Sequence, residues 1–122
     1  MHILVIDDDE IFCRLLVEIL ESKGIKTTAT TDGLAGYELL NRNRFDLFII
    51  DVRMPLILGT ELAEAIKETN AQARIILASA FADSKLADFA AEKGLFLLSK
   101  PFNLERLFET LEQALPGSLA LS

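Results

Sequence analysis

The sequence predicts an α/β protein in which a five-stranded parallel sheet carries helices on both faces. Short apolar runs recur along the chain, and each is too brief for a membrane span and typical of a buried parallel strand. Segments with helical spacing of apolar residues separate these runs, and connections of that length join parallel strands by right-handed crossovers. Five strands alternating with five helices therefore predict a doubly wound sandwich.

The first two strand and helix units are readily placed. Residues 2–6 form an apolar strand that ends in three consecutive aspartates, and apolar residues then recur at helical spacing until Lys23-Gly24 ends the helix. A threonine-rich run at 25–30 alternates weakly, which predicts a less buried second strand. Asp32-Gly33 then turns the chain into the second helix.

The central strand lies within the stretch 45–59. Residues 47–50 are all apolar, as expected of a strand buried on both faces, and the strand ends on Asp51. Pro55 prevents the strand from continuing, and Gly59 opens the third helical segment. Asp51 is therefore predicted at the carboxyl end of a central strand, the edge where open α/β sheets bind ligands.

Two further units complete the sheet. An apolar run at 74–79 predicts the fourth strand, after which Asp83 can cap a helix that Gly94 ends. Residues 95–99 predict the last strand, and Asn103 starts a terminal helix with a clear apolar stripe.

Composition indicates one acidic domain. The chain has 122 residues, of which 51% are hydrophobic and 25% charged, and its 12 basic and 19 acidic residues give a net charge of −7. Such a balance disfavours direct nucleic-acid binding and suits a site for a divalent cation. We predict a domain at 1–116 and a tail at 117–122, which is also where a linker could start.

The cysteine content and the lack of signal-peptide and membrane-span patterns predict the compartment. Cys13 is the single cysteine, so no internal disulfide can form, and its place among apolar helix positions predicts a buried packing residue. The first residues lack the basic flank and apolar length of a signal peptide, and no run approaches a membrane span. We therefore expect a cytoplasmic protein that does not associate with a membrane.

The strand ends predict a common site. In a doubly wound sheet the residues that follow the strands converge at one edge. These residues are Asp7, Asp8, Asp9, Asp51, Ser79 and Lys100. Crowded carboxylates repel one another unless a cation lies among them, and oxygen ligands favour Mg²⁺. A phosphoryl group beside Asp51 would meet the metal, Lys100 and the Ser79 hydroxyl, which makes Asp51 the predicted nucleophile and an aspartyl phosphate its product.

The segments I-L-V-I-D-D-D-E, D-V-R-M-P, S-A and K-P-F, in this order, resemble the receiver domains of two-component response regulators, including the single-domain chemotaxis type. The resemblance implies a flavodoxin-like (βα)5 fold with strand order 2-1-3-4-5. It also implies that Asp8, Asp51 and the Arg53 backbone carbonyl ligate Mg²⁺ directly and that Asp7 helps through water. Asp51 would be the phosphoacceptor, Ser79 the switch hydroxyl and Lys100 the phosphate-pairing lysine. Members of this family commonly have a cis peptide bond before the proline at position 101.

The implied function is a phosphorylation switch in two-component signalling or a phosphorelay. A sensor histidine kinase would donate phosphate to Asp51, and the protein would catalyse only its own phosphorylation and dephosphorylation. The expected partners are that kinase, an output protein or fused output domain, and a second copy in a homodimer.

Two features of the sequence depart from the common family pattern, and two further residues bear on the lifetime of the phosphorylated state. Leu97 occupies the position of the usual aromatic switch residue. The loop at 56–58 is entirely apolar, which predicts either a docking patch or partial packing of these side chains against neighbouring helices. Arg53 and Phe81 flank the path that the attacking water takes in the family, and their bulk predicts slow self-dephosphorylation.

Simpler and alternative interpretations stay open at this point. Asp8 or Asp9 could merely cap the first helix, Ser79 could be a strand-end hydroxyl, and Lys100 a solvated charge. The Asp7-x-Asp9 pattern also resembles the nucleophile motif of haloacid-dehalogenase-type phosphatases, although the chain barely has room for a substrate-selecting cap. An interaction module that has lost phosphorylation is the third possibility.

Overall fold

The structure is a computed structural model that describes residues 1–119. The strands are β1 His2–Ile6, β2 Lys26–Thr30, β3 Leu47–Asp51, β4 Ile75–Ser79 and β5 Phe96–Ser99. The helices are α1 Glu10–Ser22, α2 Gly33–Leu39, α3 Gly59–Thr69, α4 Ser84–Lys93 and α5 Leu104–Ala114. The predicted alternation of strands and helices is confirmed. Residues 120–122 of the predicted tail lie outside the described residues, and the domain boundary at 116 stays a prediction.

The strands form one sheet in the order β2-β1-β3-β4-β5, and every neighbouring pair is parallel. This confirms the predicted flavodoxin-like topology. From β1 the sheet grows first to β2 on one side and then to β3 on the other, so the direction of winding reverses between β1 and β3. Crevices at such a reversal are the usual ligand sites of open parallel sheets.

The sheet separates two apolar cores because alternate residues of each strand point to opposite faces. Leu4, Ile6, Phe48 and Ile50 join the core beneath α2, α3 and α4. The residues that alternate with these four along β1 and β3 join the core beneath α1 and α5. All residues of β3 and β4 are buried, whereas β2 lies at an edge and is only partly covered, as its threonine-rich sequence predicts.

Polar side chains fix where four helices begin. The side chains of Asp9, Asp32, Asp83 and Asn103 each accept a hydrogen bond from a backbone N–H in the first turn of the following helix. The predicted roles of Asp83 and Asn103 are thereby confirmed. Gly94 has a φ of 68° at the end of α4, a left-handed conformation that glycine adopts without strain, so its predicted role is also confirmed.

None of the helices formed by residues 1–119 has the length and apolar character needed to cross a bilayer.

Candidate functional site

An acidic cluster lies where the winding of the sheet reverses. Asp7 follows β1, Asp51 ends β3, and the two strands are neighbours with Ile6 beside Ile50 in register. One carboxylate oxygen from each of Asp7, Asp8 and Asp51 lies within 4.8 Å of the other two. Asp7 and Asp51 are buried and Asp8 is exposed, so the cluster opens to solvent on one side.

The backbone behind the cluster is closely packed. A side chain at Gly59 would collide with the carbonyl oxygen of Asp51, so only glycine fits at the start of α3. The Gly59 N–H donates to the Val52 carbonyl at 2.8 Å, and the Cys13 thiol donates to the Asp7 carbonyl at 3.2 Å. Cys13 is buried, as predicted. Both aspartates are thus attached to backbone that other elements hold in place.

Lys100 reaches the cluster from the end of β5. Its Nζ lies 2.7 Å from Asp7 Oδ2 and 3.2 Å from Asp51 Oδ1. The same ammonium lies 4.3 Å from the ring centroid of Phe12 on α1, and the Lys100 backbone N–H donates to the Ser79 carbonyl at 2.7 Å. Lys100 is therefore a half-buried counter-charge for two aspartates and not a solvated surface lysine.

Burial and charge shift the pKa of two of these groups. Burial, followed by the negative charge of Asp7, raises the pKa of Asp51 to about 6, although Lys100 partly opposes the shift. Burial alone would lower the pKa of Lys100, but its hydrogen bonds and attraction to Asp7 and Asp51 outweigh that effect and raise it. At pH 7 the ammonium is charged and Asp51 is largely ionised, in a setting that favours a further cation.

Ser79 is buried at the end of β4, next to the cluster. The residue before it, Ala78, pairs in register with Asp51. Its Oγ accepts the Phe81 N–H at 3.0 Å, while no acceptor for its hydroxyl hydrogen is present among the described residues. That hydrogen can therefore be donated to a ligand.

Arg53 and Phe81 form a contact beside Ser79 that sequence reasoning missed. The Arg53 guanidinium lies 4.8 Å from the ring centroid of Phe81, whose side chain is exposed. Both positions were singled out in the sequence, but no pattern there indicates that the two side chains touch. The Arg53 backbone carbonyl stays a predicted metal ligand.

Asp9 is the helix cap among the three consecutive aspartates. Its Oδ1 accepts the Phe12 N–H at 3.1 Å, and its own N–H donates to Asp7 Oδ1 at 3.0 Å. One of the two candidates for the capping role is thus assigned, and Asp8 remains in the acidic cluster. The phosphatase alternative needs Asp9 as a second reactive carboxylate, and the Asp9 side chain is engaged as the cap of α1.

Leu97 belongs to the core beneath α3 and α4, whereas the ring of its neighbour Phe96 packs on the opposite face of the sheet. Phe96 therefore cannot take the place of an aromatic residue at position 97. The Lys100-Pro101 peptide bond is cis, as the resemblance implies.

The apolar loop is only partly packed. Ile57 is half-buried against the core, whereas Leu56 and Leu58 are exposed. One of its three side chains therefore follows the packing interpretation, and the two leucines remain at the surface.

Comparisons with known proteins agree with this geometry. The sequence model of the response regulator receiver domain matches residues 3–112. The response regulator receiver protein CpdR of Brucella abortus is 35% identical over 115 residues, which cover 93% of this chain and 96% of CpdR. The transcriptional regulatory protein GlrR of Escherichia coli is 31% identical over 96% of this chain, which spans only 27% of GlrR. The Thermotoga maritima response regulator TrrA, whose structure was solved in complex with Mg²⁺ and BeF, is 29% identical in sequence to this chain. The two structures superpose with a TM-score of 0.83 over 93% of this chain and 98% of TrrA.

Proposed function

Because this chain belongs to the family of response regulator receiver domains of two-component systems, we propose that it is a Mg²⁺-dependent switch that accepts a phosphoryl group on Asp51. The observation that carries the proposal is the carboxylate of Asp51 set between an acidic cluster and the Lys100 ammonium. Such a site holds a nucleophile, a cation-binding pocket and a counter-charge for phosphate within one crevice.

The residues present fit a magnesium ion. The donors are carboxylate oxygens, which Mg²⁺ prefers, and three ionised carboxylates with one ammonium leave a net charge that a divalent cation cancels. We assign Asp8, Asp51 and the Arg53 carbonyl as direct ligands and Asp7 as a ligand through water. The bound ion would neutralise negative charge on the phosphoryl oxygens.

The positions of the side chains support the following transfer step. An oxygen of Asp51 attacks phosphorus, the P–N bond to the imidazole of a phosphohistidine breaks, and the imidazole keeps the electron pair and takes a proton from solvent. Lys100 balances the charge of the phosphoryl group, and the free hydroxyl hydrogen of Ser79 is donated to one of its oxygens. Because Ser79 Oγ also accepts the Phe81 N–H, movement of Ser79 toward the phosphoryl group would pull on the β4–α4 connection, and we assign Ser79 as the switch residue.

A surface for the phosphate donor lies beside the site. A groove of about 650 Å³ between α1 and α5 is lined by Phe12, Pro101 and Phe102 and reaches Lys100. Leu15 also lines the groove and is exposed, and Ile11, one turn before it on α1, is 80% exposed. We assign this groove to the sensor histidine kinase, because exposed apolar surface next to a reacting group marks a docking site.

The remaining assignments are also proposals. Output passes to a separate protein, a fused output domain or a second copy, and the site of action is the cytoplasm. The acidic net charge of −7 disfavours direct contact with nucleic acid.

Intact-mass spectrometry after incubation with acetyl phosphate tests the proposal. Wild type should gain one phosphoryl group with Mg²⁺ and none without it, and Asp51→Asn should gain none. Modification that survives Asp51→Asn would favour Asp7 and the phosphatase alternative. A wild type that is neither modified nor able to bind Mg²⁺ would favour the interaction module.

A further inference from the structure

A second apolar surface lies on the opposite face of the sheet from the α1 and α5 groove. It is formed by Leu34, Leu56 and Leu58, called here the leucine patch, which are 49%, 88% and 49% exposed. Ile57, between the last two, packs directly on Gly33, the residue before Leu34. The contact between Ile57 and Gly33 therefore brings the start of α2 and the β3–α3 loop into one surface.

The backbone at Leu56 shows that this leucine does not serve the fold. Its φ is 74°, in the left-handed region where the Cβ of an L-residue crowds the carbonyl oxygen, and where glycine is preferred. Its side chain is also the most exposed of the three and contributes almost nothing to the core. A side chain that strains its backbone and buries no surface is best explained by a contact with another molecule.

Charges around the patch indicate the kind of molecule. Asp32 lies at the start of α2 and Glu61 in the first turn of α3, where Glu61 Oε1 accepts the Leu58 N–H at 3.1 Å. Both side chains are exposed, and neither forms an ion pair with the residues that the structure describes. A second copy would bring the same carboxylates, and a net charge of −7, against this rim, so self-association here is disfavoured.

We propose that the leucine patch docks an amphipathic helix of a partner protein, with apolar residues on one face and Lys or Arg flanking them. The apolar face covers Leu34, Leu56 and Leu58, and the basic residues face Asp32 and Glu61. Anchors at helical spacing suit a surface built from a helix start and a loop, because none of the three leucines lies in a strand. The inference stands apart from phosphorylation of Asp51 and is tested on the unmodified protein.

A designed peptide provides the probe. It is a helix-forming peptide with leucines on one face and lysines flanking them, and its control carries glutamates in place of the lysines. We expect amide shift changes of the ¹⁵N-labelled protein to concentrate at 32–35 and 56–62. The affinity should fall at least tenfold in a Leu56→Ser and Leu58→Ser double variant, and it should stay unchanged in Leu104→Ser, an exposed leucine on the other face.

A double variant with Asp32→Asn and Glu61→Gln and a single variant with Leu56→Gly separate docking from a structural role. Asp32→Asn and Glu61→Gln keep the hydrogen-bonding groups that hold the helix starts but remove the charge, so together they should weaken peptide binding several-fold and reduce its salt dependence. Leu56→Gly should lose binding without a lower melting temperature, because it removes the side chain and relieves the backbone.

Several results would overturn the inference. These are shift changes centred on the α1 and α5 groove, equal binding of the glutamate peptide, binding unchanged in the double leucine variant, and no binding at millimolar peptide. Sedimentation that shows a wild-type dimer abolished by Leu56→Ser would identify a second copy as the occupant instead.

Discussion

The Lys100 ammonium is closer to Asp7 than to Asp51, at 2.7 Å against 3.2 Å. Asp7 is almost completely buried and Lys100 is its counter-charge, whereas Asp51 is slightly more exposed. Lys100 is therefore both the structural counter-ion of Asp7 and the cation nearest the proposed phosphoacceptor. The two roles lead to different experimental expectations.

Removal of the Lys100 charge should destabilise the metal-free protein. Lys100→Met leaves Asp7 and Asp51 buried without a counter-charge, and breaking such a pair costs about 3–5 kcal/mol. Urea unfolding in EDTA measures the loss. Lys93→Met, which breaks an exposed pair with Glu64 at 3.6 Å, should cost less than about 1 kcal/mol. Equal effects of the two variants would show that Lys100 has no structural role.

Stability of the metal-free protein should fall as the pH rises from about 4 to 6. The pKa of Asp51 is raised to about 6 in the folded state, so the folded protein binds this proton more tightly than the unfolded chain, and ionisation opposes folding. Asp51→Asn removes that penalty. The variant should match wild type near pH 4 and exceed it by up to about 3 kcal/mol at pH 7, since each pKa unit corresponds to about 1.36 kcal/mol.

Unfolding titrations in EDTA at pH 4 to 7.5 test this expectation, with Asp88→Asn on the exposed face of α4 as the control. A constant difference between wild type and Asp51→Asn across this range would contradict it. Added Mg²⁺ should restore wild-type stability at pH 7, because the ion stabilises the ionised carboxylates.

The contact between Arg53 and Phe81 should prolong the phosphorylated state. The stacking interaction is worth about 0.5–1 kcal/mol, and its loss should open the approach to Asp51. The phosphoryl group on Asp51 should therefore be hydrolysed about two- to fivefold faster in Arg53→Ala than in wild type. Phe81→Ala should have the same effect, and the double variant should be no faster than either single one, because the side chains act together. Lys85 lines the same surface cavity as Arg53 and Phe81 but is not stacked on the ring, so Lys85→Ala is the control for lost charge. Slower decay in Arg53→Ala would refute this prediction.

Leu56→Gly should stabilise the fold slightly. A left-handed conformation costs a leucine about 1–2 kcal/mol, and glycine avoids this but loses about 0.5–1 kcal/mol of chain entropy. The net gain should be up to about 1.5 kcal/mol in urea unfolding. Leu58→Gly, at a position with an ordinary φ of −74°, should instead destabilise. A destabilised Leu56→Gly would indicate that the leucine side chain supports the loop.

The sequence predicts most of the fold because its signals are local. The all-apolar run before Asp51, the caps at Asp83 and Asn103 and the glycine at Gly94 each report on one element. The length of the crossovers then predicts parallel strands with right-handed connections, whereas the strand order 2-1-3-4-5 is predicted from the resemblance to receiver domains. The convergence of Asp7, Asp8 and Asp51 could be predicted for the same reason, since parallel strands end at one edge.

Contacts between elements could not be predicted. Which of Asp8 and Asp9 caps α1 depends on the direction of the chain as it leaves β1, and both residue types suit the role. The position of the Lys100 ammonium over Phe12 and the stacking of Arg53 on Phe81 depend on rotamers set by packing. The left-handed backbone at Leu56 opposes local preference, so no sequence rule indicates it.

The buried thiol of Cys13 has a practical consequence for spectroscopy. Burial and the nearby Asp7 charge raise its pKa to about 11, so only about one molecule in ten thousand carries the reactive thiolate at pH 7. Maleimide dyes and spin labels should therefore leave the natural cysteine untouched. A cysteine introduced at any exposed position can then be labelled selectively in the otherwise unaltered chain. Because Cys13 need not be replaced, its hydrogen bond to the Asp7 carbonyl is kept while the attached label reports on the motions of the loops.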